Sequence, residues 1–208
     1  MRERVELLKK QNPKFEHFLF DDNDCREFIK QHFRRDVLNA YDRLIPGAYK
    51  ADLWRCCCVL FINGGIYVDI KLACTNGFKL IELTEQEHFV KDRPLPLSIY
   101  NALMVCKAGN PFLYKCIRAI VNNVNHNYYG NSPLDPTGPI LLGNIILQNN
   151  LKLNIDMRHH EQGGYIIYKN RFVMTTIYDE YNSERIEIYK KINLERYEKM
   201  WDEKRIYK

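Results

Sequence analysis

An apolar helix that stops at a glycine pair is the feature that most constrains the fold of this 208-residue chain. The pattern predicts a helix from near Pro46 to about Ile62, apolar nearly all round beyond Arg55, which therefore has to be buried. The sequence Asn-Gly-Gly at 63–65 ends it, because glycine readily takes the left-handed conformation at a helix C-terminus. A short core strand at 66–70 follows at once. A buried helix that leads straight into a strand predicts an α/β layer fold.

Helical and strand-like patterns also alternate along the rest of the chain, which predicts a mostly parallel central sheet flanked by helices in a single domain. Predicted helices cover 2–10, the region from the Asp21–Asp24 turn through Phe33, a region that begins at Pro111, Pro139–Gln148 and a charged tail from about Asn182. Predicted strands cover Phe15–Phe20, Leu97–Cys106, Tyr165–Tyr168 and Arg171–Met174.

Charge and cysteine content exclude several classes of protein. The net charge of +5 is spread as +1 over 1–36, +2 over 37–183 and +2 over 184–208, so a nucleic-acid-binding stripe is not expected. No apolar run reaches the roughly 18 residues of a membrane-spanning helix, and no signal peptide is recognisable, so we expect a cytoplasmic location. The seven cysteines, three of them adjacent at 56–58, form no C-x-x-C pair, which predicts buried, reduced thiols.

Two charges interrupt the apolar helix. Asp52 and Arg55 lie three residues apart and so share one helix face. Because unpaired buried charges are costly, they either pair with each other or face a polar ligand. Asp69 closes the following strand, at the sheet edge where open α/β folds bind ligands, and its carboxylate suits a divalent cation. Taken one by one, these residues also fit a purely structural role as a capping pair and a turn aspartate.

Taken together, residues 46–71 resemble the DXD-type glycosyltransferases of the sugar-binding-region family, which includes fungal initiating α-1,6-mannosyltransferases and small bacterial and viral enzymes. Their pattern is approximately P-x-A-x-K-(S/A)-D-x-x-R, a buried helix, and then G-G-(I/V)-Y-x-D-x-D. Weaker similarities are a T-G-P segment at 137–139 and a closing Tyr197-x-x-x-Trp201. The central pattern is matched at Pro46, Ala48, Lys50, Ala51, Asp52, Arg55, Gly64, Gly65, Ile66, Tyr67 and Asp69.

The resemblance implies a GT-A-type, Rossmann-like domain over 1–208, with a nucleotide-sugar-binding half at 1–110 and an acceptor-side half at 111–208 that ends in a helical tail. The implied reaction moves a sugar from a UDP- or GDP-sugar to a hydroxyl of a glycan or glycoprotein acceptor. It also implies Mn²⁺ or Mg²⁺ bound by Asp69, with His159 as a further candidate ligand. Candidate catalytic residues are Asp69 and two in loop-like segments, Asp135 and Asp179; the candidate donor-binding residues are Asp21, Asp52, Arg55, Gly65, Tyr67, Asp69, Lys71, Arg196 and Trp201.

Three departures from the family pattern stand out. Lys71 occupies the place of the second acid of the D-x-D motif, Arg196 stands where a histidine often precedes the tail tyrosine, and the first strand, of the type I-P-K-x-I-H-Q-x-W, has no counterpart. Lys71 lies on the same side of an extended chain as Asp69, so it is a candidate cation for the donor phosphates. The halved motif leaves two alternatives: a catalytically silent nucleotide-sugar-binding module, or an interaction domain that uses Tyr128, Tyr129, Tyr197 and Trp201.

Overall fold

The computed structural model describes residues 1–92, 98–148, 158–159 and 164–208, and within these ranges helices and strands follow one another in groups, not in strict alternation. The α-helices in these ranges are α1 (Arg2–Gln11), α2 (Asp22–His32), α3 (Arg35–Arg43), α4 (Gly47–Ala51), α5 (Leu60–Ile62), α6 (Pro111–Asn125), α7 (Pro139–Gln148), α8 (Tyr181–Lys191) and α9 (Tyr197–Asp202). Asp52–Val59 forms a π-helix and Leu80–Leu83 a 3-10 helix. The strands are β1 (Gly65–Val68), β2 (Ala73–Cys74), β3 (His88–Lys91), β4 (Ile99–Cys106), β5 (Arg158–His159), β6 (Tyr165–Tyr168) and β7 (Arg171–Thr175).

All seven described strands join one sheet, in the order β1-β4-β3-β5-β6-β7-β2. Of their pairings, β3 with β5 is parallel and the others are antiparallel. The expected mostly parallel sheet is therefore not confirmed. The physical reason is clearest at β6 and β7, which are joined by Lys169 and Asn170 with φ of 48° and 60°. Two left-handed residues make a tight hairpin turn, and strands joined in that way have to run antiparallel.

Strand β4 lies between β1 and β3 and is buried on both faces. Because side chains alternate along a strand, Leu103 and Val105 face one apolar cluster while Met104 and Cys106 face the other. The second of these clusters packs under the helices, including the helix predicted at 46–62. Strands from both predicted halves of the chain pair in this sheet, and the division into functional halves stays a prediction.

The helix predicted at 46–62 is present, with an unusual middle. Between α4 and α5, residues Asp52–Val59 are wound as a π-helix, a variant frequently found at functional sites. The three adjacent cysteines at 56–58 are free and fully buried, as predicted. Gly64 ends the helix with a φ of +69°, and a Cβ there would lie 2.6 Å from the backbone nitrogen of Ala108, so the position requires glycine.

The predicted strand at Phe15–Phe20 is wrong, because this segment forms no regular structure. Residues 16–20 make no backbone hydrogen bond to any described residue, and Phe18 and Leu19 are each 68% exposed. Aromatic residues favour a strand only where a neighbouring strand supplies partners.

Helix α3 and strands β2, β3 and β5 are additional to the prediction. The other predicted elements are present, although Leu97 lies outside the described residues. Among the described helices, none has the length and apolar character to cross a membrane.

Candidate active site

The π-helical segment and β1 bring Asp52, Arg55, Tyr67 and Asp69 into one hydrogen-bonded cluster. Arg55 donates from Nη2 to Asp52 Oδ1 over 2.9 Å and from Nη1 to Asp69 Oδ1 over 2.8 Å. The Tyr67 hydroxyl accepts from Arg55 Nη1 at 3.2 Å and donates to Asp69 Oδ1 at 2.6 Å. Burial raises the pKa of Tyr67 well above its ordinary value, so this hydroxyl keeps its proton. One guanidinium thus joins two carboxylates.

Asp52 is the buried anchor of this cluster, with an exposed fraction of 5%. Its Oδ1 also accepts from Asn101 Nδ2 at 2.9 Å, and its Oδ2 accepts from Thr137 Oγ1 at 2.9 Å. The backbone of Gly138 is so close that a Cβ there would lie 3.2 Å from Asp52 Oδ2. Both carboxylate oxygens are occupied, so Asp52 positions Arg55. Of the two roles that the sequence leaves open for these charges, the structure shows pairing.

Asp69 is the member of the cluster that faces open space. Its backbone N–H donates to the carbonyl of Ala102 at 2.8 Å, which fixes it at the end of β1. Its Oδ2 makes no hydrogen bond in the described part of the chain. Asp69, Arg55 and Tyr67 line a cavity of about 270 Å³, together with Lys71 and Tyr181. One carboxylate oxygen is therefore held by the protein and the other is available to a ligand.

Lys71 brings a second positive charge into this cavity. Its ammonium lies 5.8 Å from the ring centre of Tyr100 and 5.6 Å from that of Tyr181, distances typical of cation–π contacts. Within the described ranges it forms no salt bridge. Burial lowers the pKa of Lys71. A partly desolvated ammonium without a carboxylate partner is a strong binding group for an anion.

A larger cleft of about 580 Å³ adjoins the first cavity, and Tyr67 and Ile70 line both. Its walls include Gly65, Trp54 and the aromatic segment at 15–20. The indole Nε1 of Trp54 is buried without a hydrogen-bond partner in the described structure. Because buried donors are nearly always paired, this unpaired N–H beside the cleft is an unusual feature of the wall. The two spaces together have the size and mixed apolar and polar walls of a small-molecule site.

Several predicted site residues line neither cavity. Asp21 caps α2, because its Oδ1 accepts from the backbone nitrogens of Asn23 and Asp24 at 2.8 and 2.9 Å. Asp135 Oδ2 accepts from the backbone nitrogens of Asn131 and Ser132 at 2.6 and 3.0 Å, which holds its own loop together. These contacts give both carboxylates structural roles.

The other predicted residues lie on the outer surface or pack into the core. Asp179 is exposed, and Arg196 forms an exposed ion pair with Glu198 at 2.8 Å. Trp201 donates from Nε1 to the carbonyl of Tyr129 at 2.6 Å. None of these residues is among those that line the two cavities, and the side chain of His159 lies outside the described structure.

The aromatic residues of the predicted interaction surface do not form an exposed patch. Tyr128 is 46% exposed. Tyr129, Tyr197 and Trp201 are partly buried and pack against the main core cluster. No specific observation therefore favours the interaction domain.

The described residues do not fit a divalent metal ion. D-x-D glycosyltransferases generally use such an ion, and the predicted Mn²⁺ or Mg²⁺ at Asp69 depends on that similarity. Within the described part of the chain, however, no three His, Cys, Asp or Glu side chains converge. Asp69 Oδ1 already accepts two hydrogen bonds, and a lysine replaces the second carboxylate.

Sequence reasoning missed two residues that build the site, Asn101 and Tyr181. Asn101 is a polar residue inside the otherwise apolar strand β4, and that interruption was the available signal. Tyr181 begins α8, far from Asp69 in sequence, and no local pattern connects it with the cavity.

Comparison with known proteins indicates a glycosyltransferase. Residues 1–90 match the family described as a glycosyltransferase sugar-binding region containing a DXD motif. A protein of Acanthamoeba polyphaga mimivirus, named as an uncharacterised glycosyltransferase, is 35% identical over 74 residues, which cover 36% of this chain and 29% of that protein. This chain therefore spans less than a third of the viral relative.

A structural comparison points in the same direction. The solved structure of the PaToxG glycosyltransferase superimposes with a TM-score of 0.50 at 17% identity, over 72% of this chain and 64% of that one. At this identity the likeness shows the fold alone. All three comparisons name one class of enzyme, as the sequence predicted. Over its first 90 residues the chain is therefore similar to the DXD-type glycosyltransferase sugar-binding region.

Proposed function

We propose that this chain is a glycosyltransferase domain that binds a UDP- or GDP-linked sugar across the two adjoining cavities and transfers the sugar to a glycan hydroxyl. The observation that carries the proposal is the Arg55–Tyr67–Asp69 cluster in the wall of a cavity that also holds Lys71. These three charged side chains and the Tyr67 hydroxyl line one small space, which suits a ligand with an anionic group and several hydroxyls.

Each of the two cavities suits a different part of the donor. The larger cleft, with its aromatic walls and the unpaired Trp54 Nε1, is suited to the base and ribose. The smaller cavity takes the diphosphate against Lys71 and the sugar against the free Oδ2 of Asp69. Tyr67 and Ile70 line both spaces, so they mark the point where the ribose meets the diphosphate.

Transfer breaks the bond between the anomeric carbon and a diphosphate oxygen and forms one to the acceptor oxygen. The diphosphate gains negative charge as it departs, and a preorganised cation in a partly desolvated site stabilises that charge. Lys71 supplies the cation, while Asp69, oriented by Arg55 and Tyr67, accepts a hydrogen bond from a hydroxyl of the transferred sugar. The proton of the acceptor passes to the departing diphosphate, a route that needs no protein base.

Calorimetry with UDP and GDP, followed by release of nucleotide from UDP- and GDP-hexoses, tests the proposal. We expect one nucleotide to bind, its sugar conjugate to be turned over slowly, and Asp69→Asn to lose about tenfold or more of that rate because a charge-assisted hydrogen bond is removed. Asp202→Asn, a matched change of an exposed carboxylate on α9, should leave the rate unaltered.

Two outcomes contradict the proposal in different ways. If neither nucleotide binds, or raises the melting temperature at saturating concentration, the donor site is wrong. If a nucleotide sugar binds tightly without release or transfer, the chain is the catalytically silent module, an alternative that the replacement of the second acid by Lys71 specifically favours.

A further inference from the structure

We infer that the Lys71 ammonium takes the place of the divalent cation in this site, so that the chain binds its nucleotide-diphosphate donor without a metal ion. The inference depends on the proposed function and deepens it, since it concerns how the same site neutralises the diphosphate. It starts from the position of Lys71, which lines the cavity beside Asp69 and Arg55.

The charge of the cluster supports the replacement. Asp52 and Asp69 carry two negative charges, and Arg55 and Lys71 carry two positive ones, so the cluster together with Lys71 is neutral; the Met1 ammonium in the same cavity wall is paired with Glu184. With aspartate at position 71 the same cluster would carry a charge of −2, which one divalent cation would return to zero. The lysine therefore gives the metal-free site the same net charge that a complete D-x-D site has with its ion bound.

The surroundings of Lys71 also suit an ammonium better than a metal ligand. The tyrosine rings of Tyr100 and Tyr181 lie within 6 Å of the nitrogen, and ring faces attract cations without supplying a carboxylate. Asp69 Oδ1 is occupied by Arg55 and Tyr67, which leaves a single carboxylate oxygen for any ion. A divalent cation bound there would also meet the positive charges of Lys71 and Arg55.

Isothermal titration of GDP and UDP in EDTA and in Mn²⁺ is the test. For the wild-type chain we expect the Kd of the nucleotide that binds to differ by less than about threefold between the two buffers. Lys71→Met should weaken binding in EDTA by about tenfold to a hundredfold, the usual effect of a lost charge-assisted hydrogen bond, and leave binding of the matching nucleoside unchanged. Lys169→Met removes another lysine that lies over a tyrosine ring, outside both cavities, and should have no effect.

A variant in which the second acid of the D-x-D motif is restored gives a sharper test, because its nucleotide binding should depend on Mn²⁺. Lys71→Asp recreates the two-acid motif and should bind nucleotide at least about tenfold more tightly in Mn²⁺ than in EDTA. A melting temperature within the range of the wild-type chain verifies that each variant is folded.

Failures of the inference and of the proposed function are distinguishable. Wild-type binding that requires Mn²⁺, or a folded Lys71→Met variant that binds as well as wild type in EDTA, overturns the inference and leaves the proposed function standing. A folded Lys71→Asp variant that gains no Mn²⁺ dependence also overturns it, because position 71 is then not the place of the ion. Absence of binding in both buffers overturns the proposed function itself.

Discussion

Removal of the Arg55 guanidinium should destabilise the fold as well as the site. Arg55→Met keeps the length and apolar stem of the side chain but removes the hydrogen bonds to Asp52, Asp69 and Tyr67. Asp52 then remains as a buried carboxylate with only Asn101 and Thr137 as partners. Neither partner carries a charge, so the negative charge of Asp52 is left uncompensated.

The magnitude follows from the burial of the pair. Breaking a buried ion pair by removal of one partner costs about 3–5 kcal/mol. Asp69 is partly exposed and is hydrated once it is released, so we expect a loss near 3 kcal/mol, at the lower end of that range. For a chain of this size that corresponds to a fall in melting temperature of roughly 6–12 °C. Since domains are commonly stable by about 5–15 kcal/mol, the variant should still fold.

Urea unfolding followed by circular dichroism measures this loss, with an unchanged m-value as the sign that the same surface is exposed on unfolding. Arg118→Met is the control, because Arg118 forms a shorter ion pair with Asp36, at 2.6 Å, on the surface, where such pairs contribute about 0–1 kcal/mol. Adding Asp52→Asn to Arg55→Met should recover part of the stability. A loss below about 1 kcal/mol for Arg55→Met would refute the reasoning, since the Asp52–Arg55 pair would then contribute no more than a surface ion pair.

Two further variants test the scaffold around the site. The Arg26 guanidinium donates two hydrogen bonds to the Asp42 carboxylate, at 2.7 and 2.8 Å, and holds the pKa of that carboxyl below its ordinary 3.8. The ion pair therefore contributes fully to stability above pH 3.8, and its contribution disappears as the pH falls through the lowered pKa. Asp42→Asn should therefore lower the melting temperature more at pH 7 than near pH 2, and an equal difference at both would contradict the assignment. Gly64→Ala should lower the melting temperature because its Cβ meets Ala108 nitrogen, whereas Gly47→Ala, in open space, should not; equal effects would argue against a steric requirement.

The site was predictable where its signals are local. The spacing of Asp52 and Arg55 puts both on one helix face, and the Gly-Gly pair that ends the helix puts Asp69 at the end of the next strand. These relations depend on helix and strand geometry over a few residues, which the sequence specifies directly. The choice between pairing and ligand binding was not predictable, because it depends on Asn101 and Thr137, which approach from distant elements.

The prediction of a mostly parallel sheet was not confirmed for a different reason. Asn170 and its neighbour Lys169 carry a recognisable two-residue turn between two apolar runs, so the antiparallel β6–β7 hairpin had a local signal. The short strands β2 and β5, of two residues each, have no such signal, and their pairing is decided by the packing of the sheet. Likewise, the aromatic segment at 15–20 has the composition of a strand, but composition does not supply the neighbouring strand that it would need.

The contact between Thr137 and Asp52 explains why the sugar-binding region depends on the rest of the chain. The family match ends at residue 90, yet Asp52 accepts hydrogen bonds from Asn101 and Thr137, both beyond that point. Strand β1, which presents Tyr67 and leads to Asp69, is likewise paired with β4 at 99–106. The motif therefore supplies the charged groups of the candidate site, while the partners of its buried Asp52 and the strand that pairs with β1 come from later in the sequence. The weak T-G-P similarity at 137–139 has a physical role in this arrangement: the threonine holds Asp52, and the adjoining glycine leaves room for its carboxylate.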